Sequence, residues 1–216
     1  MAPTLAYWQI RGLAQPLRLI LGYTKTDFED KTYAVGDGPT FDKSGWTSVK
    51  DSLGLDFPNL PYYIDGDVKI TQSNAILRYI GRKYKLDGET EEEKRRVDLM
   101  ENQAMDFRNG FVRLCYNPRF DDLVDDYKRN IAAMLKQFSA FLGERKFFAG
   151  DKLTMVDFVM YELLDQHKAL DASLLGPFDN LLAFLKRFEE IPEIAEFQKS
   201  DKCFKGPINN KQAKFR

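Results

Sequence analysis

Four short stretches of the 216-residue chain carry side chains whose types and spacing could do chemistry. Tyr7-Trp8 closes an apolar run from Thr4 and precedes a break at Gln9-Ile10-Arg11-Gly12, which puts a phenol and an indole at the end of a strand, where α/β proteins place their ligands, although a packing role fits the same tyrosine. Asn59-Leu60-Pro61 stands directly before another apolar run, and a proline there has no ladder N–H to lose; its peptide bond is a candidate for the cis form. If Leu60 keeps its own N–H and C=O open, an extended peptide-like ligand can pair with them in an antiparallel sense. An ordinary edge-strand turn explains the same residues. Gln72-Ser73 opens a helical pattern, where backbone N–H groups and the positive dipole end favour a carboxylate or phosphate, although Ser73 could equally cap its own helix. Lys43, Trp46 and Lys50 share one side if that stretch is helical, so that an indole N–H and two ammonium groups could hold a second carboxylate; a surface lysine pair around a half-buried tryptophan fits as well. Taken together, a peptide-pairing edge beside an anion-binding helix end suggests a small, extended, anionic ligand.

Composition narrows the remaining chemistry. Lys+Arg 32 against Asp+Glu 33 leaves a net charge of -1, which offers no global field for nucleic acid or an anionic membrane. His167 is the single histidine, so no imidazole metal cluster can be assembled, and any Ser/His/Asp or Cys/His set would have to use that one residue, whose place on a predicted helix reads as packing or surface. Two cysteines, Cys115 and Cys203, make no Cys-x-x-Cys pair, which disfavours a dithiol reductase. Acid-base or nucleophile work therefore falls on tyrosine, carboxylates, lysine, or a thiol brought by the substrate. No signal-peptide h-region and no membrane-length apolar run is present, so the expected location is cytoplasmic.

The elements that must position these residues fall into two groups. Thr4–Trp8 reads as a strand, Ala14 to Leu21 as a helix, Phe28 to Tyr33 as a second strand, and Gly36-Asp37-Gly38-Pro39 as a loop. Asp65-Gly66 between Tyr62-Tyr63-Ile64 and Val68-Lys69-Ile70 predicts a tight hairpin, followed by a helix from Ser73. Beyond Gly88 strand signals cease. Thr90 with Glu93 forms a capping box ahead of a helix whose stripe is Val97, Met100, Ala104, Phe107, Phe111 and Leu114. A second amphipathic helix is expected from about Asp122 to Leu142, and Thr154 with Asp157 caps an interior helix. Shorter helices are expected near Asn180–Glu190 and Pro192–Lys199. The fold class is thus α/β followed by all-α, divided as residues 1–85 and 86–216.

With those residues in place the chain resembles a cytosolic glutathione transferase of the mu class. The matching stretches include Tyr7-Trp8 with Arg11-Gly12-Leu13, Trp46 with Lys50, Gly54 through Tyr62, Thr71-Gln72-Ser73-Asn74-Ala75-Ile76, Glu101-Asn102-Gln103, Cys115-Tyr116-Asn117-Pro118, and Ala149 through Phe158. The resemblance implies a thioredoxin-like N-terminal domain (βαβ-α-ββα) that binds glutathione. It further implies a helical domain that supplies most of a hydrophobic pocket, and a homodimer. It places Leu60, before a cis Pro61, against the cysteinyl backbone; Gln72 and Ser73 at the γ-glutamyl end; and Lys43, Trp46, Lys50 and Asn59 at the glycyl side. Trp8 and Leu13 join the glutathione set, and an acid matching Asp106 reaches the γ-glutamyl amine from the partner subunit.

By the same resemblance, the Tyr7 hydroxyl stabilises the glutathione thiolate and Tyr116 donates to the developing anion or leaving group. Ile10, Leu13, Met105 and Val112 supply apolar wall, while Phe57 and Arg78 lie between subunits. The implied activity is detoxifying conjugation of reduced glutathione, as co-substrate, to hydrophobic electrophiles, with no prosthetic group, metal, nucleic acid or membrane involved. A non-catalytic ligand carrier or structural dimer is the alternative. Two departures stand out. Lys43 replaces the usual arginine, and Asn209 with Asn210 makes the outer substrate pocket more polar than is usual in the class.

Overall fold

The structure, a computed structural model, describes residues 2–216. By its internal contacts the chain divides into two compact units. The first joins the chain up to Tyr84 with Pro192–Lys214 and Arg216; the second is Lys85–Ile191 with Phe215. The segment from Pro192, which the sequence pattern grouped with the helical part, packs instead with the first unit.

The first unit is a four-stranded mixed sheet, order β2-β1-β3-β4. β1 (Thr4–Trp8) runs parallel to β2 (Glu29–Tyr33) after the crossover helix α1 (Gln15–Tyr23), and antiparallel to β3 (Tyr62–Asp65), with Ala6 opposite Tyr62. α1 opens with Pro16 in its first turn, where the missing N–H costs nothing. Between β2 and β3 lie only a one-turn helix, α2 (Ser44–Thr47), and a 3-10 turn (Lys50–Ser52). β3 and β4 (Val68–Thr71) form the expected hairpin, displaced by one residue: Asp65 pairs with Val68, and the two-residue loop is Gly66-Asp67. Gly66 takes φ +62° as the first loop residue, which keeps the strands' twist. α3 (Ser73–Lys83) follows directly. The last helix of the chain, α8 (Pro192–Lys199), packs on α1, where Phe197 lies so close to Gly22 that a Cβ there would sit 2.3 Å from its ring.

The second unit is helical. α4 (Glu91–Cys115), α5 (Phe120–Leu142), α6 (Met155–Leu170) and α7 (Asp179–Glu189) pack about the stripe Val97, Met100, Ala104, Phe107, Phe111 and Leu114. Both capping boxes form. The Thr90 hydroxyl accepts the Glu93 N–H at 3.1 Å, and the Glu93 carboxylate accepts the N–H groups of Glu89 and Thr90. The second box is buried. The Asp157 carboxylate accepts the Thr154 N–H (2.7 Å) and O–H (3.0 Å), and from Phe148 a third N–H (2.8 Å). Burial still pushes this carboxyl up to about 6, outweighing the three donors.

The single histidine is a packing residue. His167 stacks on Phe107 with centroids 4.1 Å apart, and its Nδ1 lies 2.7 Å from the Leu163 carbonyl and its Nε2 2.7 Å from the Tyr127 hydroxyl. A neutral ring satisfies both contacts: Nδ1–H donates to the carbonyl and Nε2 accepts the phenol proton. Burial holds its pKa down at about 4. Among the described residues, no helix is long and apolar enough to cross a membrane, and no three His, Cys, Asp or Glu residues gather as metal ligands would.

Candidate active site

β1 is central in the sheet and buried on both faces, so its successive residues Leu5, Ala6 and Tyr7 all enter the first unit's core. Tyr7 turns inward and is 5% exposed, in one apolar cluster with Ala6, Ile10, Ala14, Tyr33, Trp46, Leu55, Leu60 and Tyr62; Trp8 and Leu13 pack on it from outside. Residues separated by more than fifty positions in sequence, Tyr7 and Leu60, thus share one cluster, together with Trp8, Ile10, Leu13 and Trp46 from the expected site.

The phenol has a built seat. Gly12 takes φ +42°, and a Cβ built there would lie 2.6 Å from Tyr7 Cε1 and 2.9 Å from its hydroxyl oxygen. Only a residue without a side chain lets the backbone approach that closely. The same loop is tied to Arg18, fully buried on α1, whose Nη1–H donates to the Ile10 carbonyl (2.8 Å) and whose Nε–H donates to Asp30 on β2 (2.8 Å).

The Leu60-Pro61 bond is cis and Leu60 is buried beside β1. Its N–H is engaged, however, donating to the Asn59 side-chain oxygen at 2.8 Å, because a preceding amide can satisfy a local donor. A ligand that pairs with Leu60 must displace Asn59, which itself belongs to the expected site and lies on the surface.

Ser73 does not cap α3. It is the helix's first residue, and the N-cap is Gln72, with no side-chain cap hydrogen bond among the described residues. Gln72 has φ +74°, a conformation that costs a non-glycine residue roughly 1–3 kcal/mol and clusters at ligand sites. No acidic residue stands in the first turn of α3, so the helix end keeps its positive character.

The stretch from Lys43 to Lys50 is not one helix. α2 ends at Thr47, since Gly45, Thr47 and Val49 are weak helix formers, so the common face expected of Lys43, Trp46 and Lys50 is broken. Lys43 is the exposed N-cap, and Lys50 begins the 3-10 turn beside Asp51 at 3.8 Å. Trp46 turns inward instead, edge-on to Tyr33 (5.4 Å) and stacked on Tyr62 (5.9 Å). The hydroxyls of Tyr33 and Tyr62 lie 3.1 Å apart beneath it. Burial, then that hydrogen bond, raises the Tyr62 pKa above its ordinary value. No spacing rule links Tyr33, Tyr62 and Trp46, so the two tyrosines carry no signal of this site in the linear chain. Gly12 was more legible, as a glycine in the loop after an aromatic strand end.

In the second unit, Met105, Val112 and Tyr116 recur by seven and four residues along α4 and its C-cap, on one half-buried face flanking the buried stripe; Asp106 is exposed. In the first unit, Asn209 is buried, and Arg78 and Phe57 are exposed, Phe57 by 73%.

A sheet of this order, with a buried phenol at the end of β1 and a cis-proline turn entering β3, defines a protein class. The chain matches the glutathione S-transferase N-terminal domain over residues 3–82 and the glutathione S-transferase C-terminal domain over residues 105–201, and it belongs to that family. It is a glutathione transferase of the mu class. Glutathione S-transferase Mu 5 of Rattus norvegicus is 56% identical over 211 residues, covering 98% of this chain and 94% of that protein. Glutathione S-transferase Mu 3 of Homo sapiens is 54% identical with the same coverage. Among solved structures, the glutathione S-transferase Blo t 8 superposes with a TM-score of 0.88 at 32% identity, covering 97% of this chain and 98% of its own. The Pi-class glutathione S-transferase of Onchocerca volvulus gives 0.87 at 32%, covering 99% and 100%.

Proposed function

We propose that the chain joins the thiolate of reduced glutathione to hydrophobic electrophiles, with the Tyr7 hydroxyl as the group that holds the sulfur deprotonated. The observation carrying this reading is the seat of Tyr7, a buried phenol fixed against Gly12 in the cluster that also holds Leu60 and Trp46. A free thiol near pKa 8.5 is only a few per cent ionised at neutral pH, whereas a phenol near 10 stays protonated. A hydrogen bond donated by that phenol to the sulfur favours the anion, most of all where water is excluded. The thiol proton leaves to solvent; the sulfur then forms a C–S bond to the electrophilic carbon, and the leaving group departs with its electron pair.

The remaining assignments follow from kinship and from local geometry. Leu60, once Asn59 gives way, pairs with the cysteinyl backbone, and the uncapped start of α3 at Gln72 and Ser73 takes the γ-glutamyl carboxylate. Lys43, Trp46, Lys50 and Asn59 hold the glycyl side, with Trp8 and Leu13 beside the thiol and Asp106 acting across a homodimer on the amine. Ile10, Met105, Val112 and Asn209 border the electrophile, and Tyr116 donates to the anion that develops on it. Phe57 and Arg78 lie in the dimer contact, and the dimer works as a cytoplasmic detoxifying enzyme without a prosthetic group.

Turnover of a chromogenic aryl halide, with and without glutathione, tests the reading in the parent and in Tyr7→Phe. The variant is expected to bind glutathione while losing about 100-fold in turnover, the effect of removing one preorganised donor. Undiminished turnover rejects the role of Tyr7. A parent that binds glutathione but turns nothing over is a carrier or a structural dimer.

A further inference from the structure

The loop that seats Tyr7 is held from behind by a stretch to which neither kinship nor motif gives a part in the chemistry of the sulfur. After α8 the chain returns across the first unit, and there the Pro207 carbonyl accepts the Arg11 N–H at 2.8 Å and the Ile208 carbonyl accepts the Gly12 N–H at 3.1 Å. Phe204 anchors the beginning of this segment. Its ring lies over the Arg18 guanidinium, 4.3 Å from centroid to Cζ, and its carbonyl accepts from the Gln15 side chain at 3.4 Å. Ile208 and Asn209 are buried, and Lys211 ties the far end to Asp37 at 2.5 Å.

We infer that residues 204–211 are a strap that positions the Tyr7 hydroxyl, with Phe204 as its anchoring positioning residue. The inference rests on the role proposed for Tyr7. Two connections converge on the same loop. Arg18, gripped by the Phe204 ring on one side and by Asp30 on the other, holds the Ile10 carbonyl; the strap's own carbonyls hold the next two N–H groups, of Arg11 and Gly12. Gly12 then meets the phenol with no slack, since the space of a single methyl group beside it is already taken by Tyr7 Cε1 and the hydroxyl oxygen. Displacing the strap displaces Gly12, and displacing Gly12 moves the phenol. A charge-assisted hydrogen bond to sulfur depends steeply on distance and angle, so the strap governs how far the thiol's proton affinity falls without any strap atom touching the sulfur. The guanidinium–ring contact has the geometry to hold, because a desolvated cation over an aromatic face is attracted by more than its packing.

The experiment follows the ultraviolet absorbance of bound glutathione thiolate against pH, together with the pH profile of kcat/KM, in the parent, Phe204→Leu, Phe204→Tyr, Lys211→Ala and Tyr7→Phe. Phe204→Leu keeps apolar volume and removes the aromatic face. It is expected to move the thiolate titration and the acid limb of the profile to higher pH and to lower kcat/KM at neutral pH roughly tenfold, with glutathione affinity within about twofold of the parent. Phe204→Tyr retains the parental profile. Lys211→Ala, at the exposed end of the strap, moves the titration the same way by about two- to threefold and decides the matter if the leucine variant does not fold. A folded Phe204→Leu, or failing that Lys211→Ala, with the parental titration overturns the strap. If Tyr7→Phe itself leaves the titration in place, the role of Tyr7 fails; if it moves the titration and the strap variants do not, the strap alone fails. In the double variant Tyr7→Phe/Phe204→Leu the second change is expected to add nothing, as two changes acting through one hydrogen bond require.

Discussion

Replacing Gly12 with alanine puts a methyl group where the Tyr7 ring already stands. The new Cβ would lie 2.6 Å from Tyr7 Cε1, 2.9 Å from the hydroxyl oxygen and 3.1 Å from Ile10 Cδ1. Carbon atoms rest at about 3.5–4.0 Å, so the ring must withdraw by roughly 1 Å. Tyr7 is buried among Ala6, Leu60 and Tyr62 and cannot swing away without moving them. A misplacement of that size at a reacting centre costs about 100-fold in rate. The backbone adds its own strain at φ +42°, on the order of 1–2 kcal/mol of stability. Gly66→Ala separates the two effects: its φ is +62°, but among the described residues nothing lies within 4 Å of an added Cβ. Steady-state kinetics with an aryl halide and denaturant unfolding are the paired assays. Gly66→Ala is expected to lose on the order of 1 kcal/mol of stability and Gly12→Ala a further ~1–3 kcal/mol from overpacking, while Gly12→Ala alone loses about 100-fold in kcat/KM. Parental kcat/KM in Gly12→Ala would refute the seat of Tyr7 as described.

Four further outcomes are expected. His167, neutral in the fold with its pKa lowered to about 4, is protonated in the unfolded chain below about 6.5; its contribution is full above that pH and is lost as pH falls toward 4, by about 3 kcal/mol. Asp157, raised to about 6, acts in the opposite sense, its contribution present below about 3.8 and lost as pH rises through 6, so the two cancel in the parent between about pH 4 and 6. The stability gap between parent and His167→Phe should therefore narrow on acidification from about pH 7 to about pH 4; a gap that does not narrow refutes the neutral ring. Asp157→Ala strands buried donors and should cost about 2–4 kcal/mol in equilibrium unfolding, against about 1 kcal/mol or less for Glu93→Ala at the exposed box; equal costs would show that burial does not distinguish the two caps. Phe57 is exposed in the single chain; if it is buried in the proposed dimer contact, Phe57→Ser removes about 2 kcal/mol per ring and, with two rings, weakens association roughly a thousandfold in sedimentation velocity, whereas unchanged sedimentation removes Phe57 from the contact. Lys43→Arg restores a planar fork and should tighten glutathione binding about two- to fivefold by calorimetry; equal affinity shows the fork is dispensable.

Features closed within a few residues were legible in the linear chain. Thr90 with Glu93 and Thr154 with Asp157 form their capping boxes because donor and acceptor lie three residues apart on a turn of fixed geometry. The hairpin was legible but misplaced by one residue, since only cross-strand pairing of Asp65 with Val68 decides which two residues make the loop. Lys43, Trp46 and Lys50 failed as a helical face because helix propensity there is weak and the pull of Tyr33 and Tyr62 on the indole is long-range. Ser73 looked like an N-cap by type, but the backbone turn at Gln72, with φ +74°, placed it inside the helix.

What the amino-acid order determined alone is therefore chemistry by elimination and structure by local rule. One histidine and two separated cysteines narrowed the agents to tyrosine, carboxylates, lysine or a thiol brought by the substrate, the family resemblance pointed among these to Tyr7, and periodicity set a mixed sheet ahead of a helical half. Tertiary structure alone decided that Tyr7 and Leu60 share a core cluster, that Asn59 occupies the Leu60 N–H, that Gly12 is pressed on the phenol, and that the chain from Pro192 onward belongs with the first unit. The physical reason is the range of the interactions. Caps and periods are satisfied within one or two turns of chain, whereas a phenol's seat is made by atoms that only packing brings together, and packing reads shape and burial rather than sequence distance.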